Sequence, residues 1–244
     1  MSLENIDLSL IIPCYNEEEI IEDNINKLQK VLSVTNLKYE IIFVDDYSLD
    51  KTNFLINSLI TKDKKNCLKI ISHDKNMGRG KSVSDGIRFS KGRVVGFIDI
   101  DLSTSPVYIP AMVLEIDNGA DIATANRIYK LHFNLYFLFR VFLSKGYKYI
   151  STFLLSTNFK DTETGYKFFN RKRILQILDD IKNNHWFWDT EVMVIANINR
   201  YKIVELDTLF RRKPGQKSTV LIFRDVINYL KELFRFKSRL TKLK

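Results

Sequence analysis

The fold class the sequence predicts is α/β: a Rossmann-like, mainly parallel twisted sheet flanked by helices. Three observations predict it. Short apolar runs rich in Ile, Val and Phe alternate with segments of helical spacing through the first half of the chain, the pattern of βαβ units. Polar and charged clusters follow directly on several of those runs, where open α/β sheets bind ligands. The 244 residues, 45% apolar and 27% charged, suffice for one large domain with a sizeable core.

The elements follow in order. Leu8 to Ile12, Tyr39 to Val44, Leu68 to Ser72 and Val94 to Ile98 read as strands, and Asp121 to Ala125 and Lys202 to Phe210 as two more. Ile20, Ile21, Ile25, Leu28, Val31 and Leu32 recur at helical spacing, with a start expected at Asn16 and Glu19 completing a capping box. Ser105-Pro106 opens another helix, proline taking the first helical position. Helical patterns also cover Arg171 to Ile181 and Thr190 to Ile198.

Charge separates the chain into body and tail. Residues 1–199 hold 25 basic and 25 acidic side chains, whereas 200–244 hold 13 and 4, so the net +9 lies entirely at the end. From Val220 to Lys244, apolar residues at helical spacing alternate with Arg224, Lys231, Arg235, Lys237, Arg239, Lys242 and Lys244. This is a basic amphipathic helix, suited to an anionic membrane surface or to docking its apolar face on the domain. The expected division is a catalytic domain over 1–219 and this helix over 220–244. Residues 131–155 are dense in aromatics and leucines but carry Arg140, Lys145 and Lys148, which suits a membrane interface or a buried helix pair. No run reaches the ~18 apolar residues of a spanning helix, and no signal peptide is expected from the polar start.

Other classes are excluded. Cys14 and Cys67 give no disulfide framework, and His73, His132 and His185 lack zinc-ligand spacing. Gly80-Lys81-Ser82 fails as a phosphate-binding P-loop because position 75 is Lys. Nucleic acid is not an expected partner, since the basic charge is confined to one end and interleaved with apolar residues at helical spacing.

Four strand ends carry the chemistry: Pro13-Cys14-Tyr15-Asn16-Glu17, Asp45-Asp46-Tyr47-Ser48, Asn76-Met77-Gly78-Arg79-Gly80-Lys81 and Asp99-Ile100-Asp101. In a parallel sheet they share one edge. Asp99 and Asp101, one residue apart, would point the same way on a strand and can share Mg²⁺ or Mn²⁺; taken alone, such a pair more often caps the next helix. Glu17 and Asp45 can accept hydrogen bonds from a base or ribose, and Tyr15 can pack on the base. Gly78 and Gly80 let a backbone approach the ligand, and Lys81 adds positive charge at a helix start. These groups suggest nucleotide-sugar binding.

Together with Val44 to Thr52 and Leu102, these motifs resemble the family 2 inverting glycosyltransferases of the GT-A fold. Asn126-Arg127-Ile128-Tyr129, Asp161 to Phe169 and Trp186 to Val192 are similar to the polyprenyl-phosphate branch, above all the dolichyl-phosphate β-glucosyltransferases. The likeness runs from about Leu8 to Thr219.

The resemblance implies transfer of a hexose, with glucose from UDP-glucose the first expectation, to dolichyl or undecaprenyl phosphate. A saccharide or protein hydroxyl acceptor and a GDP-mannose donor are the alternatives. It implies a divalent cation on Asp99 and Asp101, with Pro13, Tyr15, Glu17, Asp45, Asp46, Lys81 and Asp99 around the donor and Arg212 on its diphosphate. Arg127, Arg140 and Ser144 fall at acceptor-phosphate positions. Asp189 takes the place of the base that hydroxyl-accepting relatives use, or serves as a first-turn helix carboxylate. Asp161 either does chemistry or orients Arg127 or Arg140. The chain departs from the pattern at Ala125-Asn126, where Gly-Ser is usual, and at Gly215-Gln216-Lys217-Ser218, where Gly-Ser-Lys is usual. The branch's common transmembrane helices have no counterpart in this sequence, so a peripheral place at the cytoplasmic face of a membrane is expected.

Overall fold

The computed structural model describes residues 6–129, 158–211 and 222–242. Seven strands form one sheet: β1 (Leu8–Cys14), β2 (Tyr39–Asp45), β3 (Leu68–Ser72), β4 (Val94–Ile98), β5 (Ile122–Tyr129), β6 (Tyr166–Asn170) and β7 (Ile203–Phe210). Their order is β3-β2-β1-β4-β6-β5-β7, with β6 antiparallel to both neighbours and all other pairs parallel. The strand order reverses between β1 and β4, the point where such sheets open a crevice.

Helices cover both faces. Leu8, Leu10 and Ile12 of β1 pack with α1 (Ile21–Ser33), α2 (Thr52–Lys62) and α4 (Ile109–Asp117) on one side. Ile11 joins α3 (Arg79–Phe89), α5 (Arg171–Ile177), α6 (Trp188–Ile198) and α7 (Ile222–Lys242) on the other. Side chains of one strand alternate between the two cores, so the strands read as nearly continuous apolar runs.

Several expectations need correction. β6 is absent from the sequence reading because Lys167 interrupts its apolar run, yet Lys167 is fully buried. α1 begins at Ile21, and Asn16 does not cap it. Asn16 instead has φ 56° and accepts a hydrogen bond from Leu49 N at 2.8 Å. Ser105 does act as a cap, but on a 3₁₀ turn over Pro106–Tyr108 that leads into α4.

The basic C-terminal helix docks on the domain. Leu233 and Phe236 of α7 are buried, Phe236 and Tyr229 meet the Phe187 ring at centroid distances of 5.7 and 5.1 Å, and Arg239 pairs with the buried Glu191. Lys231, Phe234 and Arg235 stay exposed on its outer face. Among the described residues no helix is long and apolar enough to cross a membrane.

Candidate active site

The crevice lies at the C-terminal edge of β1, β2, β3 and β4. Because β6 runs antiparallel, it brings its preceding loop, residues 161–165, to the same edge.

Asp99 and Asp101 meet there by a different route from the one expected. β4 ends at Ile98, so strand alternation does not aim them. A tight turn does: Leu102 N donates to Asp99 O at 3.2 Å and Leu102 takes φ 51°. Buried Ile100 pins the turn to α1, its carbonyl accepting from Asn24 Nδ2 at 2.9 Å. Asp101 accepts from Ser103 N at 2.9 Å and Ser103 Oγ at 2.6 Å.

Asp99 is held by Arg79, whose Nε and Nη2 donate to its Oδ1 at 2.8 and 2.7 Å. The Arg79 Nη1 donates to Asp189 Oδ2 at 2.6 Å. Phe97 and Trp186 lie against the guanidinium at 5.2 and 4.8 Å. Burial works against the charge of Arg79, but Asp189 and Asp99 outweigh it and hold the guanidinium more firmly protonated than usual. Gly165 closes the cradle: a Cβ there would lie 1.9 Å from Asp99 Oδ2 and 2.4 Å from Arg79 Nη2.

Asp189, 1% exposed, is enclosed on both sides. Lys167 Nζ donates to its Oδ1 at 2.9 Å and also to Thr162 O at 3.1 Å and to Thr164 O. Burial pulls the Lys167 ammonium below its ordinary range, with Asp189 opposing. Arg127 forms a two-point pair with Asp161, Nε to Oδ2 at 2.6 Å and Nη2 to Oδ1 at 2.9 Å, and lies over the Phe210 ring. Burial opposes the Arg127 charge too, yet Asp161 raises it above its usual value. Glu163, beside both pairs, is pushed up to about 6, chiefly by burial.

On the donor side, Glu17 is raised to about 7 by burial, then by Asp101, Asp99 and Asp50. Burial raises the Asp99 carboxyl also, Arg79 opposing and Asp101 adding to it. Mutually repelling oxygen donors beside the Gly165 cradle suit a hard divalent cation. Among the described residues no three or more His, Cys, Asp or Glu side chains form a complete metal cage. Asp99 and Asp101 could hold such an ion together with substrate oxygens and water, the kind of ligand set that suits Mg²⁺ or Mn²⁺ at a diphosphate.

The other expected residues stand in different surroundings. Tyr15 is 44% exposed at the rim, and Pro13 sits half-buried on β1. Asp45 is buried, accepting from Ser48 N at 3.2 Å and Asn53 Nδ2 at 2.8 Å. Asp46 is buried and clamps the loop after β3, accepting from Met77 N at 2.7 Å and Gly78 N at 2.8 Å and meeting His73 Nδ1 at 2.8 Å. Lys81 pairs with Asp85 on its own helix. Gly78 and Gly80 admit protein rather than ligand: a Cβ would come within 2.4 Å of Asn184 O at the first and 2.5 Å of Trp188 Cβ at the second. Arg140, Ser144, Arg212, residues 131–155 and Gly215-Gln216-Lys217-Ser218 lie outside the described residues.

Sequence reasoning missed Arg79, Lys167 and Glu163 as site residues. Their signal was present in a weak form, three ionisable side chains inside the motifs that were already singled out.

The family model for glycosyl transferase family 2 matches residues 9–196. Glycosyltransferase AglD of Haloferax volcanii is 25% identical over 94% of this chain, which spans only 37% of that relative. A dolichyl-phosphate beta-glucosyltransferase of Dictyostelium discoideum is 26% identical, covering 97% of this chain and 79% of its own length. A dolichol-phosphate mannosyltransferase of Pyrococcus furiosus is 28% identical, covering 93% and 63%. Among solved structures, glucosyl-3-phosphoglycerate synthase from Mycobacterium tuberculosis, crystallised with Mn²⁺, UDP and glucosyl-3-phosphoglycerate, superposes with a TM-score of 0.69 at 15% identity, over 93% of this chain and 80% of that one. That likeness establishes the GT-A type of fold.

Proposed function

This chain belongs to glycosyl transferase family 2, and on that premise we propose that it transfers a hexose, glucose from UDP-glucose in the first instance, to the phosphate of a polyprenyl phosphate with inversion. The acceptor phosphate oxygen forms the new bond to the sugar anomeric carbon as the bond to the nucleoside diphosphate breaks.

The observation that carries the acceptor class is the enclosure of Asp189. A hydroxyl acceptor must lose a proton to a base within hydrogen-bond reach. Asp189, at the position where that base is expected, is buried and spends both oxygens on Lys167 and Arg79. A phosphate monoester needs no such base, since its second pKa of about 6 leaves it largely dianionic at neutral pH. It needs cations that position it, and Arg127 of β5, fixed by Asp161, is a candidate. Relatives named for dolichyl phosphate support the same reading.

On the donor side, Asp99 and Asp101 would hold the cation, which when bound stabilises negative charge on the leaving diphosphate. Arg79 keeps Asp99 in one orientation. Tyr15, Glu17 and Asp45 serve the nucleoside, and Arg212 the diphosphate. Arg140 and Ser144 complete the acceptor site in this reading. Peripheral attachment to a membrane, at its cytoplasmic face in this reading, would use the outer side of α7, where Lys231 and Phe234 are exposed and Arg235 pairs with Glu232; a basic residue near an anionic surface contributes about 1 kcal/mol.

Incubation with radiolabelled UDP-glucose, Mg²⁺ and polyprenyl phosphate tests the proposal. Label should move into the organic phase. Label transferred from GDP-mannose alone changes the sugar, and no lipid-extractable label from any common donor rejects the acceptor class.

A further inference from the structure

Among the described residues, five other than glycine have positive φ: Asn16, Tyr47, Asn66, Leu102 and Arg200. Asparagine visits this region readily. Arg200 follows the end of α6, where one such residue commonly closes a helix. Leu102 shapes the aspartate turn and packs its side chain against the core. Tyr47, at φ 67°, has neither justification.

The turn around Tyr47 is pinned from several directions. Ser48 N donates to Asp45 Oδ1 at 3.2 Å, Asn16 N to Ser48 Oγ at 3.0 Å, and Leu49 N to Asn16 Oδ1 at 2.8 Å. Tyr47 therefore cannot relax by shifting its backbone, and glycine would take the same conformation without steric cost. The fold gains little from the ring in return. It is 47% exposed, and among the described residues its hydroxyl makes no hydrogen bond and its ring no ring or cation contact.

What the ring does have is position. β1 and β2 are parallel with Cys14 opposite Asp45, which brings Tyr15 and Tyr47 to neighbouring strand ends. Tyr15 is 44% exposed there as well. We propose that Tyr47 is a ligand-contacting residue, its ring stacking on the base of the nucleotide that this crevice takes, alongside Tyr15. The inference rests on the nucleotide-sugar reading above and adds a residue to it. Sequence-tolerant stacking suits a flat base, because every base offers a π-face.

The test is calorimetric titration of the whole protein with UDP and with GDP, each with Mg²⁺, for the wild type, Tyr47→Phe, Tyr47→Gly and Tyr47→Asn. Thermal unfolding without nucleotide accompanies each. Tyr47→Phe should bind within about twofold of the wild type, while the Gly and Asn variants should bind about tenfold more weakly. Their midpoints should equal or exceed the wild type, since both residues accept φ 67°. Unchanged affinity in the Gly and Asn variants overturns the proposal, and so does a lowered midpoint in both, which would make the ring structural. Unchanged nucleotide affinity with lost binding to anionic vesicles overturns it in favour of a membrane contact. A wild type that binds neither nucleotide overturns the nucleotide-sugar reading itself, and this proposal with it.

Discussion

Arg79→Met removes the cation that, among the described residues, touches both Asp99 and Asp189, while keeping an unbranched apolar side chain between Phe97 and Trp186. The cost can be worked from the contacts. The side chain of Arg79 is 11% exposed, and its three hydrogen bonds measure 2.6 to 2.8 Å. Removing one partner of a buried ion pair costs about 3–5 kcal/mol, because the other charge is left without compensation. Here the two carboxylates differ. Asp189 is 1% exposed but keeps Lys167 at 2.9 Å, and Asp99 is 37% exposed and can take up water. Both features reduce the loss, so the lower limit applies, about 3 kcal/mol.

For a chain of this size about 3 kcal/mol corresponds to a fall of roughly 6–12 °C in midpoint. Chemical denaturation of wild type, Arg79→Met and Arg79→Lys measures it directly. Lysine restores charge but lacks the fork that reaches two carboxylates, so it should recover only part of the loss. Arg88→Ala serves as the control, because its pair with Asp179 is exposed at 47% and 88% and should be worth under about 1 kcal/mol. A loss below about 1 kcal/mol in Arg79→Met, no larger than in Arg88→Ala, would refute the view that these contacts are buried electrostatics.

Three further outcomes follow from the same structure. Gly165→Ala should abolish transfer while the protein stays folded, since a Cβ 1.9 Å from Asp99 Oδ2 must push that carboxylate out of place; full turnover in this variant would remove Asp99 from the site. Leu233→Ala, at a fully buried position of α7, should cost about 3 kcal/mol in urea unfolding; a loss under about 0.5 kcal/mol would mean that the helix does not dock in solution. Glu163 is raised from 4.5 to about 6 in the fold, so the folded state binds its proton more tightly than the unfolded state, and stability falls as pH rises from about 4.5 to 6 and stays lower above that. Glu163→Gln should flatten this step and gain up to about 2 kcal/mol at pH 8; equal pH curves for the two proteins would show that the carboxyl is not perturbed.

What the sequence made legible was local. β1, β2 and β4 are mostly apolar runs of five to seven residues, and the aspartates, tyrosines and glycines that follow them fall at one edge once the strands are parallel. What it hid was decided at long range. Lys167 looks like the end of a strand until Asp189, 22 residues on, neutralises it. Arg79 looks like a solvated helix start, and its partners stand 20 and 110 residues away. Gly78 and Gly80 advertise close approach correctly, but the approaching group is the 184–188 segment, which no local pattern reveals. Asn16 misleads for a related reason: its side chain serves the neighbouring loop at Leu49 rather than the helix that follows it.

The same distinction bears on how Asp189 must be tested. Its side chain joins Lys167 of β6 to Arg79 of α3, and Arg79 in turn sets Asp99. Asp189→Asn therefore leaves two buried cations with a neutral partner, and transfer should fall whichever acceptor the enzyme uses. Loss of activity alone cannot distinguish a base from an anchor. The pH dependence can: a base whose proton removal limits the rate imprints its titration on kcat, whereas an anchor lowers kcat without removing a limb from the profile. With a phosphate acceptor the acidic limb should track the second ionisation of the acceptor, near pH 6, in wild type and Asp189→Asn alike. A limb present in the wild type and missing from Asp189→Asn would return the carboxylate to the chemistry and the acceptor to a hydroxyl.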